Sequence, residues 1–533
     1  MSLSTQQRTD IKRIIEALGR QAIELQQQRG MLIRLIQADP SYVVSGAIRH
    51  RCGGHLTHSQ DDVFRISRGV RYLIDPDPVA GRFQYTESVN QLIVKVQRIE
   101  ASLARIKEKT TELHLLIPPI ECLPAELLVL IFQAGSLSEP KGLHPFPMIV
   151  SAVSRRWRAV AMSTPTLWTN LYITPVRPRK WIPLALELSR GHLLDITVDA
   201  RIDFSPSSAT VKTCMAQIKP ELHRWRSFAL MAHHRHVMLI VGEELADASA
   251  PTLQRLRLSL AGTDGTGNLE VYIPRLFSEG AQALTSVRFD SVAVPWRREP
   301  LVGLSTLDLR WLWFRLSYSS FEGILAASPN LTRLILRGKH VDVRPHEEYS
   351  PIHLPRLRSL EVSGDNFCLL CSLLIAPALE TLTLANVDEG EFREFMAWLP
   401  YSGGRYTTLK CLMLLNVATC PLSWDFVAAF STITQLIVIN SGANQFLEIL
   451  RPKWLQSATG VMHGALVWPR LRDVTMLDQT NYDDLYGMVA ERTAHGSPLR
   501  RLIVHTEFVH RNMLTPLLQY VKVDSVTYLD RDL

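Results

Sequence analysis

The chain has 533 residues and a formal charge of +7, from 58 basic against 51 acidic side chains, and 46% of it is hydrophobic. That apolar fraction excludes a wholly disordered chain, and the longest uncharged apolar run, Phe367 to Leu379, contains Pro377 and falls short of the roughly 18 residues a membrane span needs. The basic surplus forms no block of like charge, so it permits nucleic-acid contact without demanding it.

The opening MSLSTQQRTD is polar and lacks the apolar run of a secretion signal, and the seven scattered cysteines read as reduced thiols, which together predict cytoplasm or nucleus. Residues 1–37 predict a helix, with Ile11, Ile14, Ile15, Leu18, Leu25, Leu32, Leu35 and Ile36 as a broken apolar stripe that Asp39-Pro40 ends. Residues 38–84 lose all periodicity: Gly46, Gly53, Gly54, Gly69 and Gly81 interrupt them, and Asp75-Pro76-Asp77-Pro78 breaks any helix. The segment reads as irregular, disordered or a retained intron. Inside it, His50, Cys52, His55 and His58 offer zinc-like ligands without the spacing of a standard finger, so a solvated loop is expected there and no metal site.

Over residues 85–117 the apolar positions Leu92, Val96, Ile99, Leu103, Ile106, Leu113 and Ile117, with Thr110 the polar member, alternate by four and three. That is the 3.5-residue repeat of a coiled coil. It predicts an antiparallel pairing with the first helix or a homodimer, and the spacing does not choose between them.

Residues 118–173 follow Pro118-Pro119. Pro124 and Glu126 open a short apolar helix through Leu127, Leu128, Leu130, Ile131 and Phe132; Ile149, Val153, Trp157 and Val160 then suggest one second helix, and Ser163 to Trp168 a third piece. So few residues bury little core alone, and their apolar surface wants a partner. Leu123-Pro124, Glu126-Leu127-Leu128, Ile131-Phe132, Ser154-Arg155, Trp157-Arg158, Ala161, Pro165 and Leu167-Trp168 resemble an F-box. The resemblance implies a trihelical module that docks on the Skp-type adaptor of a cullin-RING ubiquitin ligase. On this reading the adaptor meets Leu123, Pro124, Glu126, Leu127, Leu128, Ile131, Phe132, Val150, Val153, Trp157, Leu167 and Trp168. Ser154 stands where many F-boxes carry cysteine, a position expected to be a helical packing site.

Residues 174–533 carry a repeat. L-x-x-L-x-L cores recur twelve times, from Leu193, Ile196 and Val198 to Leu499, Leu502 and Val504, at a mean step of about 28 residues, within the leucine-rich-repeat range. A strand, a turn and often a helix per unit predict a solenoid of about 10–12 irregular repeats, with a parallel sheet inside and helices outside. The fold class is therefore mixed: N-terminal helices with a coiled coil, a trihelical F-box, then an α/β leucine-rich-repeat solenoid. The family's Asn or Cys three residues after the last core position is replaced by Lys339, Asp365 and Val387, so the turn ladder is expected to be missing.

Side chains alternate across a strand, so the residues between core positions face the concave side. Arg255, Arg257, Arg288, Arg310, Arg333 and Arg337, against Asp290 and Asp308, make one end basic; Cys411, Met413, Leu415, Ile437 and Ile439 make the other apolar. An acidic or phosphorylated protein target is expected there, with a charge ladder and a patch covered by the C-terminal tail as the plain alternative. No nucleophile elbow, Walker loop or dinucleotide fingerprint occurs, Cys368 and Cys371 read as buried hydrophobes, and His233, His234 and His236 read as a solvated turn. The sequence thus predicts a non-catalytic chain without cofactor: the substrate receptor of an SCF-type ligase, bound to adaptor and cullin, or else a scaffold with no part in ubiquitination.

Overall fold

The structure, a computed structural model, describes residues 5–38, 87–116, 120, 123–138, 145–175, 181–201, 207–261, 271–294, 301–312, 315–338, 341–344, 347–364, 367–418, 421–451, 453–456, 462–478, 482–505 and 516–526. The chain divides into two units, 1–128 and 129–533, with the boundary inside one helix. His50, Cys52, His55, His58 and most of the irregular segment lie outside the described residues, as do residues 527–533, in the tail expected to cover the apolar patch.

The first unit is built on α1 (Thr5–Ala38) and α2 (Glu87–Leu116), packed on each other. Val96 is buried with Ile33 and Ile36, and Leu32, Leu92 and Ile93 pack around them. Arg29 reaches Glu100 at 3.8 Å. The seam of α2 is thus used by α1 of the same chain. Thr110, its polar member, turns its hydroxyl back to the Ile106 carbonyl (2.7 Å), which satisfies it without a partner helix. Ile14 and Leu35, assigned to the stripe of α1, are exposed instead.

In the second unit, α3 (Ala125–Ser138) runs in from the boundary, followed by α4 (Phe146–Val153) and α5 (Arg155–Ser163). Next comes, among the described residues, a parallel sheet of fourteen strands. They are β1 (Asn170–Ile173), β2 (Leu194–Ala200), β3 (Trp225–Ala232), β4 (Arg255–Leu260), β5 (Ser286–Asp290), β6 (Thr306–Arg310), β7 (Arg333–Arg337), β8 (Ser359–Ser363), β9 (Thr381–Val387), β10 (Cys411–Val417), β11 (Gln435–Ile439), β12 (Asp473–Met476), β13 (Arg501–His505) and β14 (Lys522–Val526). The strands stand in sequence order, each paired with the next, so every connection is a crossover. The crossovers carry α6 (Trp181–Leu188), α7 (Ser208–Ile218), α8 (Arg235–Leu245), α9 (Tyr318–Ala326), α10 (Phe367–Leu373), α11 (Glu389–Trp398), α12 (Trp424–Ala429), α13 (Ala443–Leu450) and α14 (Tyr482–Ala494). All twelve L-x-x-L-x-L cores fall in strands β2 to β13 or at their entrances. This is an α/β repeat solenoid.

Helix starts follow local chemistry. Ser207, Ser317, Asp388 and Ser423 are N-caps whose side chains accept the N–H of Thr210, Ser320, Glu391 and Phe426. Two buried arginines tie connections together. Arg224 gives one nitrogen to Leu186 O (2.9 Å) and another to Ser189 Oγ (2.9 Å). Arg492 gives its fork to Val467 O and Trp468 O, both at 2.8 Å, and burial pushes its pKa down to about 10, which still leaves it charged at neutral pH.

A turn ladder is present, contrary to expectation, but it lies two residues after the last core position rather than three. There Ser291, Trp311, Gly338, Gly364, Asn386, Asn416 and Asn440 all have positive φ. Glycine adopts that region freely and asparagine tolerates it, so the ladder is conformational before it is chemical. Each turn is tied to the neighbouring unit: Ser291 N–H donates to Arg310 O (2.8 Å), Gly338 N–H to Ser363 Oγ (3.0 Å), and Asn416 Nδ2 to Asn386 Oδ1 (2.8 Å). At Gly364, with φ +89°, a Cβ would stand 3.0 Å from the carbonyl carbon and oxygen of Gly338. Gly364→Val should therefore cost about 1–3 kcal/mol, read as a lower urea midpoint, while Gly323→Ala, in open space on a helix, should leave the midpoint in place or raise it.

Candidate functional site

Two surfaces concern function. The first is the helical module, where the sequence places one helix across Ser154 and the structure breaks it. Ser154 is extended (φ −155°, ψ 164°), and its hydroxyl caps α5 by accepting the Trp157 N–H at 3.1 Å. It is a cap, not a packing site. The four-four-three spacing ran through the break because side-chain periodicity does not register one extended residue. Arg158 spans the corner with Nε on Ser151 O at 2.9 Å.

Inside the second unit, Phe132 and Trp157 meet at 5.0 Å between ring centroids. Trp168 Nε1 donates to Ala161 O (2.9 Å), and Gln133 Nε2 to Thr166 Oγ1 (3.0 Å). Gly135 lets the Phe146 ring close on α3, since a Cβ there would come within 2.3 Å of it. Of the residues expected to meet the adaptor, Leu128, Phe132, Val150, Leu167 and Trp168 are buried, whereas Pro124, Glu126, Leu127, Ile131 and Val153 are exposed, and Leu123 and Trp157 are half-buried. Within the second unit, Phe132, Val150, Leu167 and Trp168 are core side chains rather than surface ones. Leu130 and Ile149, outside the expected set, are exposed at 60% and 49%. Leu127, Leu130 and Ile131 make one stripe of α3, and Ile149 and Val153 one stripe of α4. The run Leu127 to Phe132 is apolar without a break, so within it the sequence does not mark which side faces out.

The second surface is the sheet face made of residues between core positions. One row runs Arg257, Arg288, Asp308, Ile335, Glu361, Thr383, Met413, Ile437, Thr475, Ile503 across β4 to β13. The expected basic end is largely matched by carboxylates. Arg310 holds Asp308 with both nitrogens (2.8 and 3.0 Å), Arg288 approaches the same carboxylate at 3.6 Å, Arg337 pairs with Glu361, and Arg255 reaches Asp195 at 3.1 Å. Burial is the largest single influence on Arg310 and lowers its pKa, but the bond to Asp308 together with the charges of Asp308, Glu361 and Asp290 outweighs it, and the net shift is upward. Burial raises that of Asp290, against the opposing pull of Arg288. Arg333 is exposed and Arg257 half-buried; neither side chain has an ion-pair partner among the described residues. At the other end Cys411, Met413, Leu415 and Ile439 are half-buried and Ile437 is buried.

Other candidates resolve as packing. Burial pushes the Cys368 thiol up to about 12, raises Cys371 as well, and pushes Cys411 to about 11, so these thiols stay protonated. His233 bonds Ala261 O through Nδ1 at 2.9 Å, and the His234 and His236 rings lie tilted to each other with centroids 5.6 Å apart. Among the described residues, no group of three His, Cys, Asp or Glu gathers as a metal site, and no helix is long and apolar enough to cross a membrane.

Comparison with known proteins agrees with this geometry over the helical module. Residues 120–174 match the F-box-like family model, and the module is an F-box-like domain. No curated protein matches the chain. Among solved structures the chain is similar to that of the TLR13–ssRNA13 complex, at 13% identity and a TM-score of 0.22, covering 63% of this chain and 58% of that one.

The cap at Ser154 gives a direct test. Ser154→Ala should cost about 1 kcal/mol in urea unfolding, and Ser154→Asp, which keeps an acceptor, should recover most of it.

Proposed function

We propose that the protein is the substrate-recognition subunit of an SCF-type cullin-RING ubiquitin ligase. The observation that carries this reading is the pair of exposed apolar stripes, Leu130 and Ile131 on α3 and Ile149 and Val153 on α4, on an F-box-like domain whose own core already takes up Phe132, Val150, Leu167 and Trp168. Apolar surface left open on a folded domain marks an interface. The proposed occupant is the Skp-type adaptor, which brings the cullin scaffold. No chemistry is asked of this chain: it holds a protein target near a partner that carries the reactive cysteine, and so raises effective concentration.

The proposed target surface is the sheet face of β4 to β11, with Arg255, Arg257, Arg288, Arg310, Arg333 and Arg337 as the charged part and Met413, Leu415, Ile437 and Ile439 as the apolar anchor. Within that set the unpaired Arg333 and Arg257 are best placed to take a ligand carboxylate, because the other four must first release their own. Support comes from the parallel sheet, which presents one ordered row of side chains per register position.

Two changes separate the halves of this reading. Leu130→Asp with Val153→Asp, both on exposed positions, should abolish co-purification with the adaptor and cullin while the urea midpoint stays put; an intact complex removes the proposed interface. Arg333→Glu should lower target capture by about tenfold, the loss of one charge-assisted contact, with adaptor binding unchanged. A complex that assembles but leaves its captured partners without ubiquitin would point to the scaffold role instead.

A further inference from the structure

The residue leading into most strands, with Arg226 of β3 in the same register, forms a row of its own. Its N–H donates to the carbonyl of its counterpart one strand earlier: Gln254 to Arg226 (2.9 Å), Thr332 to Ser305 (2.9 Å), Glu380 to Arg358 (2.9 Å), Lys410 to Glu380 (2.8 Å), Thr434 to Lys410 (2.8 Å), Arg472 to Thr434 (2.9 Å) and Arg500 to Arg472 (2.7 Å). Members therefore follow one another at about 4.8 Å along one rim of the sheet. Some of the charge on this rim is matched. Arg226 pairs with Asp195, and Lys410 with Glu380 at 2.9 Å.

The far end differs. Arg470, Arg472 and Arg500 converge with Thr434, Pro469 and Asp473 on a groove of about 470 Å³. Arg500 takes both oxygens of Asp473, at 3.1 and 2.7 Å. The side chains of Arg470 and Arg472 are exposed and have no hydrogen-bond or ion-pair partner among the described residues. Three guanidinium groups against one carboxylate leave two positive charges facing one small groove.

We propose that this rim groove binds a phosphomonoester carried on a protein segment, such as a phosphorylated serine or threonine. A phosphomonoester carries about −1.5 to −2 at neutral pH, which matches the unbalanced charge of the groove, and a guanidinium fork meets two phosphate oxygens at once. A nucleic-acid backbone fits less well, because it presents one charge per nucleotide over a long path and asks for a continuous run of unpaired cations. Here Thr434 and the Lys410–Glu380 pair interrupt that run. The proposal rests on the reading that the solenoid holds the target. It places the phosphate on the rim, away from the sheet face, where Arg255, Arg288, Arg310 and Arg337 already have carboxylates.

The test uses the full chain, wild type and R470Q/R472Q. Each is immobilised and offered two degenerate peptide pools identical except for a central phosphothreonine or threonine, and separately a short single-stranded DNA. The wild type should retain the phosphorylated pool about tenfold over the other, the worth of one charge-assisted hydrogen bond, and the double variant should retain both alike. Equal retention by the wild type, an undiminished preference in the variant, or DNA held in preference to phosphopeptide and released by the variant would each overturn the proposal. Urea midpoints of the two proteins check that both are folded. Adaptor capture in the same samples reports on the proposed ligase role separately, since it can fail while the phosphate preference holds.

Discussion

Leu256, Val287, Leu307, Leu334, Leu360, Leu382, Leu412, Leu436, Val474 and Leu502 lie one against the next from β4 to β13, and each is buried. A single strand of this kind leaves both sides of its apolar row wet, and only the neighbouring units cover it. Burial of this row also fixes everything outside it. A slip of one residue would turn every leucine out and every polar residue in, so the register that buries Leu307 also sets Asp308 beside Arg288 and sends Arg310 back onto Asp308. The charge pairing of the sheet face is a consequence of hydrophobic stacking. Each ion pair is stabilised by neighbours it did not have to recruit.

The repeat was legible because two periods coincide in the sequence, apolar alternation within the strand and recurrence from strand to strand. What was not legible lay where one of them is missing. β1 offers only Leu171 and Ile173 inside a stretch read as the end of the helical module, and β14 has only valines and polar residues. The turn ladder is not legible because no single residue type marks it. The shared property is a left-handed backbone, which Gly364, Asn386 and even Trp311 adopt. The basic end looks stronger in sequence than it is for a different reason: Asp195 meets Arg226 of the next strand and Arg255 of the one beyond, Glu361 meets Arg337 of the strand before it, and such pairs are visible only once the strands are laid side by side.

In the F-box-like domain the sequence carried the helical character, but not the break at Ser154 and not the division between inside and outside. The apolar residues of α3 are alike in character, and only packing decides that Leu128 and Phe132 turn inward while Leu130 turns out. Ser154 shows the complementary failure. One capped residue redirects the chain, and the apolar spacing runs on either side as though it were not there.

The domain does not end before the sheet begins. β1 follows Trp168 after one residue and pairs residue for residue with β2, Asn170 with Asp195 through Ile173 with Val198, while the Tyr172 hydroxyl donates to Asp199 at 2.5 Å. With no linker between them, position in the array becomes a measure of distance. β12, which follows Arg472, is the twelfth strand of the sheet, so at about 4.8 Å per strand it lies roughly 50 Å of path from β1. Adding or removing a repeat would move a bound segment by one such step, as a bead moves along a ruler whose zero is the last strand of the F-box-like domain.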